Sequence, residues 1–275
     1  MPVRDESMIA RVVRILEASK VHGRAISVPE VSRATGIPLP SAYRITGELR
    51  DLGVLESDAA GRLRPGMRLW EIVTRSARVP TLCEVARPYL EDLRDAVCVP
   101  ILLSIFDCDD MVNVDTVAPR GSDVFNISRP GMRLPMLGTS PGMILLAHSP
   151  ADLRERILTS GKITRFTEYT ETDRDQLRRI ADDARARGCM IAERWMSPGS
   201  TGTAVPVLAP GGVAVAALSV TTPSADGAPL HLLPAMRVTA RAIGRGLQAE
   251  TSPAYDYDPR ALLLTKKVLH ATERL

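Results

Sequence analysis

Apolar residues at Met8, Ile9, Val12, Val13, Ile15 and Leu16 recur with helical spacing, while Arg11, Arg14 and Glu17 fall mostly elsewhere. That pattern predicts a first amphipathic helix ending near Gly23. Ser27-Val28-Pro29-Glu30 reads as a helix start. Ser27 is placed to accept from the N–H near Glu30, Glu30 to reach back, and Pro29 to sit in the first turn, where its missing donor is harmless. This helix runs through Val31 and Ala34 and breaks at Thr35-Gly36. A third helix opens in Ile37-Pro38-Leu39-Pro40, with Pro38 or Pro40 in its first turn, and stops at Gly53. Ala42, Ile45, Leu49 and Leu52 form its inward stripe; Ser41, Arg44 and Glu48 share another face, with Tyr43 and Gly47 beside it. Residues 54–57 and 62–65 flank a turn at 58–61 and predict a small hairpin, with Arg62 and Arg64 on one strand face.

Two short helices around a Gly-containing turn make a helix-turn-helix. The second helix of such a pair enters the major groove with its first residues nearest the base edges. Here those residues are Pro40, Ser41, Tyr43 and Arg44. Arg44 suits guanine or phosphate, Ser41 and Tyr43 suit phosphate, and Arg62 and Arg64 on the wing suit phosphates flanking the groove. A three-helix bundle with a protein-binding hairpin is the competing reading of the same pattern.

Residues 67–77 read as a linker helix with Leu69, Trp70 and Val73 on its apolar side, and Pro80 separates it from a helix whose apolar positions include Leu82, Val85, Leu90 and Leu93. Residues 101–106 form an apolar run, Asp107-Cys108-Asp109-Asp110 a turn, and 111–117 alternate as a strand does. Residues 131–147 are a loop feeding a helix, with Thr139 and Ser140 ahead of Pro141 as N-cap candidates. Residues 203–208 and 213–221 predict a second hairpin around Ala209-Pro210-Gly211-Gly212. Ser219 and Thr221 on it face the same side, and two hydroxyls on an apolar strand need partners if buried, from ligand, backbone or water.

The length of 275 residues favours two domains. A net charge of +3 does not announce a nucleic-acid binder, but the excess is local: 13 Lys and Arg stand against 9 Asp and Glu up to Arg78, and 22 against 23 beyond it. The 4 cysteines form no CxxC pair and no zinc spacing with histidine, which fits reduced thiols in a cytoplasmic protein. No signal peptide and no apolar run of ~18 residues is present, so no membrane partner is expected. HExxH is absent, the Gly-Gly stretches lack the Lys-Ser/Thr of a phosphate-binding loop, and the Asp-rich turn lacks further calcium ligands. An enzyme, a cofactor and a metal are therefore not expected.

The chain resembles the IclR family of bacterial regulators. The resemblance runs over about residues 7–247 and rests on stretches in order: Gly36-Ile37-Pro38, Ser41-Ala42-Tyr43-Arg44, Leu52-Gly53, Gly61-Arg62-Leu63-Arg64-Pro65-Gly66, Ala86-Arg87-Pro88-Tyr89-Leu90, Gly131-Met132-Arg133-Leu134-Pro135-Met136 through Thr139 to Gly142, Arg187-Gly188, Ala204-Val205-Pro206-Val207, and Ala217-Leu218-Ser219-Val220 leading to Pro223. It implies an α+β chain: a winged helix-turn-helix over 1–66, a linker helix over 67–80 that helps the DNA-binding modules dimerise, and a GAF-like mixed α/β effector-binding domain over 81–248. Residues 249–275 form an extension beyond the resemblance, with a short helix expected near Leu262 to Leu269. It further implies a homodimer, often a tetramer, on a palindromic operator of double-stranded DNA, with an affinity that a small molecule tunes; a repressor is expected, with an activator left open by the sequence.

The resemblance places an effector against Thr139, Ser140, Gly202, Ser219 and Thr221, at a helix N-terminus suited to a carboxylate. The same groups could serve only as ordinary caps. The chain departs from the family pattern at Ala192, where an acid is typical, at Trp195 for a glutamate, at Gly202 for Cys or Ser, at Leu137 for His and at Met143 for Lys. These departures imply a roomier, less polar pocket and an effector larger or more apolar than a small keto acid, such as an aromatic or alicyclic carboxylate. A ligand-independent protein-interaction or architectural module of the same fold is the alternative, with a closed, filled pocket.

Overall fold

The computed structural model describes residues 6–20, 25–75, 78–119, 128–209 and 211–249. They divide into two compact units between Ala77 and Arg78. The helix expected near Leu262 to Leu269 lies outside the described residues.

The first unit carries helices α1 (Met8–Lys20), α2 (Val28–Thr35) and α3 (Leu39–Asp51), strands β1 (Leu55–Ser57) and β2 (Leu63–Pro65), and helix α4 (Met67–Arg75). Both halves of the capping box form: Ser27 Oγ accepts from the Glu30 N–H at 3.4 Å, and Glu30 Oε2 accepts from the Ser27 N–H at 2.8 Å. Such a cap is worth about 1 kcal/mol. Gly36, at φ +68°, ends α2 in the left-handed region where a side chain is strained. Ile15, Ile26, Val31, Ala42, Ile45, Leu49, Leu55 and Leu63 meet in one core, and Ile26 pairs with Leu63 as a third edge of the β1–β2 hairpin.

Three details differ from the sequence expectation. Leu52 is 55% exposed, because α3 ends at Asp51 and the inward stripe ends with it. Met8, Ile9 and Val13 are exposed, since the apolar arc of α1 is wider than the face that Ile15 and Ala18 bury. Pro80 lies inside a helix, α5 (Arg78–Val97), rather than before it, in the first turn where proline removes no helical bond.

The second unit continues with β3 (Ile101–Asp107), β4 (Asp110–Val117), β5 (Arg133–Pro135), α6 (Ser140–Ala147), α7 (Ala151–Ser160), α8 (Arg174–Arg187), β6 (Met190–Glu193), β7 (Ser200–Leu208), β8 (Ala214–Pro223) and α9 (Leu233–Ala249). The strands form one sheet in the order β5-β4-β3-β8-β7-β6, with every neighbouring pair antiparallel. Alternation along the strands gives the sheet two apolar faces. Ile101, Leu103, Leu218 and Val220 pack with Leu90 of α5 and Met236 and Ile243 of α9. Phe106, Met111, Ala204 and Ala217 pack with α6, α7 and α8. Each fully buried Leu or Ile contributes ~1.5–3 kcal/mol relative to exposure.

Thr201 and Thr203 turn toward the α5/α9 face. Both are fully buried, and neither hydroxyl has a hydrogen-bond partner. A buried hydroxyl left unpaired costs ~1–3 kcal/mol. Thr203→Val, which keeps the shape and removes the oxygen, is expected to raise the unfolding free energy by about 1 kcal/mol in a denaturant titration; a loss of stability would mean the hydroxyl has a partner in solution.

Candidate functional site

On α3, Pro40, Tyr43 and Arg44 are exposed and Ser41 is half-buried, so the opening of the helix faces outward from its unit. Arg44 Nη1 donates to Glu48 Oε1 at 2.7 Å, one turn on, and Arg44 Nη2 lies 3.9 Å from Met8 Sδ. Arg64 Nε donates to Glu56 Oε1 at 2.7 Å across the hairpin. Arg62 sits just outside β2, because the Asp58 carboxylate accepts from its N–H at 2.9 Å and closes the turn. Arg62 and Arg64 are both exposed. The sequence places Arg44 and Glu48 on one helix face, and their i,i+4 spacing signals the pairing; the pairing of Arg64 with Glu56 across the hairpin was not anticipated. Exposed pairs of this kind are worth ~0–1 kcal/mol, so phosphate or a base edge can displace either carboxylate at little expense.

In the second unit a cavity of about 300 Å³ lies on the sheet face toward α6. Thr139, Ser140, Gly202, Ser219 and Thr221, drawn from three separate stretches of chain, all line it. Thr139 caps α6, its Oγ1 accepting from the Gly142 N–H at 3.1 Å, which leaves the helix start directed at the cavity. Gly142 is required there: a Cβ would stand 2.3 Å from the Met136 carbonyl oxygen. Gly202 pairs across the sheet with Thr221, and a Cβ on it would stand 2.7 Å from Ser140 Oγ. These contacts gather Ser140, Gly202 and Thr221 at one end of the cavity.

Leu102, Met111, Leu134, Phe166 and Met196 give the cavity apolar walls, and Ser104, Ser128, Ser197 and Ser200 add hydroxyls that sequence reading did not assign to it. Ser104 had a signal, a lone hydroxyl inside the apolar run 101–106. No charged side chain is among the described residues lining the cavity. An anion inside it meets only neutral hydroxyls and the partial positive charge of a helix N-terminus. Of the positions that depart from the family pattern, Ala192 and Gly202 line the cavity, whereas Leu137, Met143 and Trp195 are buried in the core beside it.

A larger hollow of about 550 Å³ near the end of α8 is walled by Arg185, Arg187, Arg237, Arg241 and Arg245. Arg185 and Arg237 are held by the Ala147 and Arg187 carbonyls, and the charged, solvated wall lacks the apolar enclosure of the first cavity. Burial and the nearby Asp115 carboxylate push the Cys83 thiol up to about 11, so it stays protonated and is a poor nucleophile. His148, lowered by burial and by Arg185, is neutral at pH 7. Among the described residues no group of His, Cys, Asp and Glu is placed to hold a metal, and no helix is long and apolar enough to cross a membrane.

Comparison with known proteins matches residues 8–59 to the IclR helix-turn-helix domain and residues 75–245 to the C-terminal domain of the bacterial transcriptional regulator IclR. The chain is 27% identical to the HTH-type transcriptional regulator KdgR of Escherichia coli over 222 residues, covering 79% of this chain and 82% of that one. It is 27% identical to the p-hydroxybenzoate hydroxylase transcriptional activator of Acinetobacter baylyi, covering 86% and 92%. Among solved structures, an IclR homolog from Microbacterium hydrocarbonoxydans complexed with 4-hydroxybenzoate superposes with a TM-score of 0.82 at 32% identity, covering 89% of this chain and all of that one.

Proposed function

The chain belongs to the IclR family of bacterial transcriptional regulators, and from that premise we propose that it binds a palindromic operator as a dimer and that a monocyclic aromatic carboxylate in the α6 cavity tunes its affinity for DNA. The observation that carries the ligand half is the cavity itself, whose apolar walls suit a ring and whose one end gathers Ser140, Thr221 and a helix N-terminus suited to a carboxylate. The 4-hydroxybenzoate complex of the Microbacterium homolog supports the same ligand class.

The DNA half rests on the outward opening of α3. Self-association is supported by the exposed apolar side chains of α1 (Met8, Ile9, Val13) and α4 (Met67, Trp70, Ile72, Val73), which a second copy would remove from water. A two-fold dimer reads two half-sites about one helical turn, ~34–36 Å, apart or a multiple of it. Mapping of bound genomic DNA followed by footprinting is expected to give inverted half-sites at that spacing, with affinity that falls steeply as salt rises. Protection of a single asymmetric half-site would contradict the dimer. In a reporter strain, output that rises on deleting the protein marks a repressor, whereas output that is lost on deleting it marks an activator.

A further inference from the structure

We propose that Ser104 is a specificity-determining residue of the cavity, and that it selects aromatic acids carrying a hydroxyl on the ring end remote from the carboxylate. The inference rests on the cavity being the effector site and adds what the ligand must carry at its other end. Ser104 is fully buried, lines the cavity, and its Oγ has no hydrogen-bond partner. A buried hydroxyl without a partner is uncommon in a folded interior and points to a group that the protein itself does not supply.

Its position suits the far end of a ring. Ser104 pairs with Ala217 on β8, and the same face of β8 carries Ser219 two residues on and Thr221 four residues on. On a pleated sheet the first is a diagonal neighbour at roughly 7–8 Å, and the second lies at roughly 14 Å along the strand direction. The carboxylate end is at Thr221, Gly202 and Ser140, so Ser104 stands across the cavity from it. Between the two ends lies Leu102, paired with Ser219, and Met111 and Phe166 add to the apolar wall that seats the ring.

Asn113 is directly opposite Ser104 on β4, is fully buried, and donates through Nδ2 to Thr116 Oγ1 at 2.7 Å. A ring hydroxyl entering the cavity exchanges a hydrogen bond with Ser104 Oγ, and Asn113 Oδ1 on the neighbouring strand is a second buried oxygen that the protein leaves without a partner. A ligand lacking the ring hydroxyl leaves Ser104 Oγ unsatisfied, the arrangement that rejects analogues most strongly.

The test compares 4-hydroxybenzoate and benzoate by calorimetry on the full chain and on Ser104→Ala. The wild type is expected to bind 4-hydroxybenzoate at least ~10-fold more tightly than benzoate. Ser104→Ala is expected to lose that preference, with 4-hydroxybenzoate weakened by about as much and benzoate unchanged or tighter. Its melting temperature should not fall, since only an unpaired oxygen is removed. Equal weakening of both ligands, or an unchanged preference, overturns the role of Ser104. A wild-type protein that binds neither compound overturns the effector-site reading, and this inference with it.

Discussion

Arg44→Ala is expected to weaken operator binding about 10- to 100-fold, the ~1–3 kcal/mol carried by one bidentate contact between arginine and a guanine edge. Arg44 stands in the opening turns of α3, the part of a recognition helix nearest the bases. In the free protein its guanidinium is held by Glu48 at 2.7 Å, with the two side chains 54% and 61% exposed. Losing a pair so exposed changes stability by ~1 kcal/mol or less, so the variant should melt close to the wild type. Fluorescence anisotropy across single-base operator variants separates the two roles open to Arg44. A base contact loses discrimination at one position; a phosphate contact weakens every sequence alike and lowers the salt slope by about 1. Glu48→Ala provides the converse, since it frees Arg44 and should leave operator affinity equal or higher. Operator affinity unchanged in Arg44→Ala would remove this residue from readout.

Gly202→Leu is expected to weaken ligand binding about 10- to 100-fold while sparing DNA binding. Gly202 is the open floor beneath Ser140, and any Cβ placed on it meets the Ser140 hydroxyl at 2.7 Å. That hydroxyl can rotate, and the leucine side chain then fills part of a cavity of about 300 Å³. Forcing a ligand into space already filled costs ~1–3 kcal/mol or more, on the order of a 10- to 100-fold loss of affinity. The helix-turn-helix is a separate compact unit, so operator affinity without ligand should stay at the wild-type value. Calorimetry with 4-hydroxybenzoate and anisotropy with operator measure the two quantities on one preparation. Near-normal ligand binding by Gly202→Leu would move the effector site away from this cavity.

Local chemistry made the first unit readable. The capping box at Ser27 and Glu30, the stop at Gly36 and the Asp58 turn each depend on residues within a few positions of one another. The exposed side of α1 was less readable, because an apolar pattern reports the number of apolar positions and not the partner that covers them. In the second unit the strands around Cys108 and Gly211 were visible as hairpins, but the sheet order was not. It pairs β3 with β8, more than 100 residues apart, and nothing local encodes that pairing. For the same reason Thr139, Ser140, Gly202, Ser219 and Thr221 could be grouped only through the family resemblance. Leu137, Met143 and Trp195 show the limit of such grouping: the alignment set them beside the pocket, and packing put them in the core.

A ligand alters DNA affinity only by binding two conformations of the protein unequally, and the coupling is reciprocal. The most direct measurement is therefore operator affinity of the wild-type protein with and without saturating 4-hydroxybenzoate, paired with ligand affinity with and without operator. The account predicts the same factor in both directions, roughly 5- to 150-fold. Operator affinity that is identical with and without a bound ligand would contradict it.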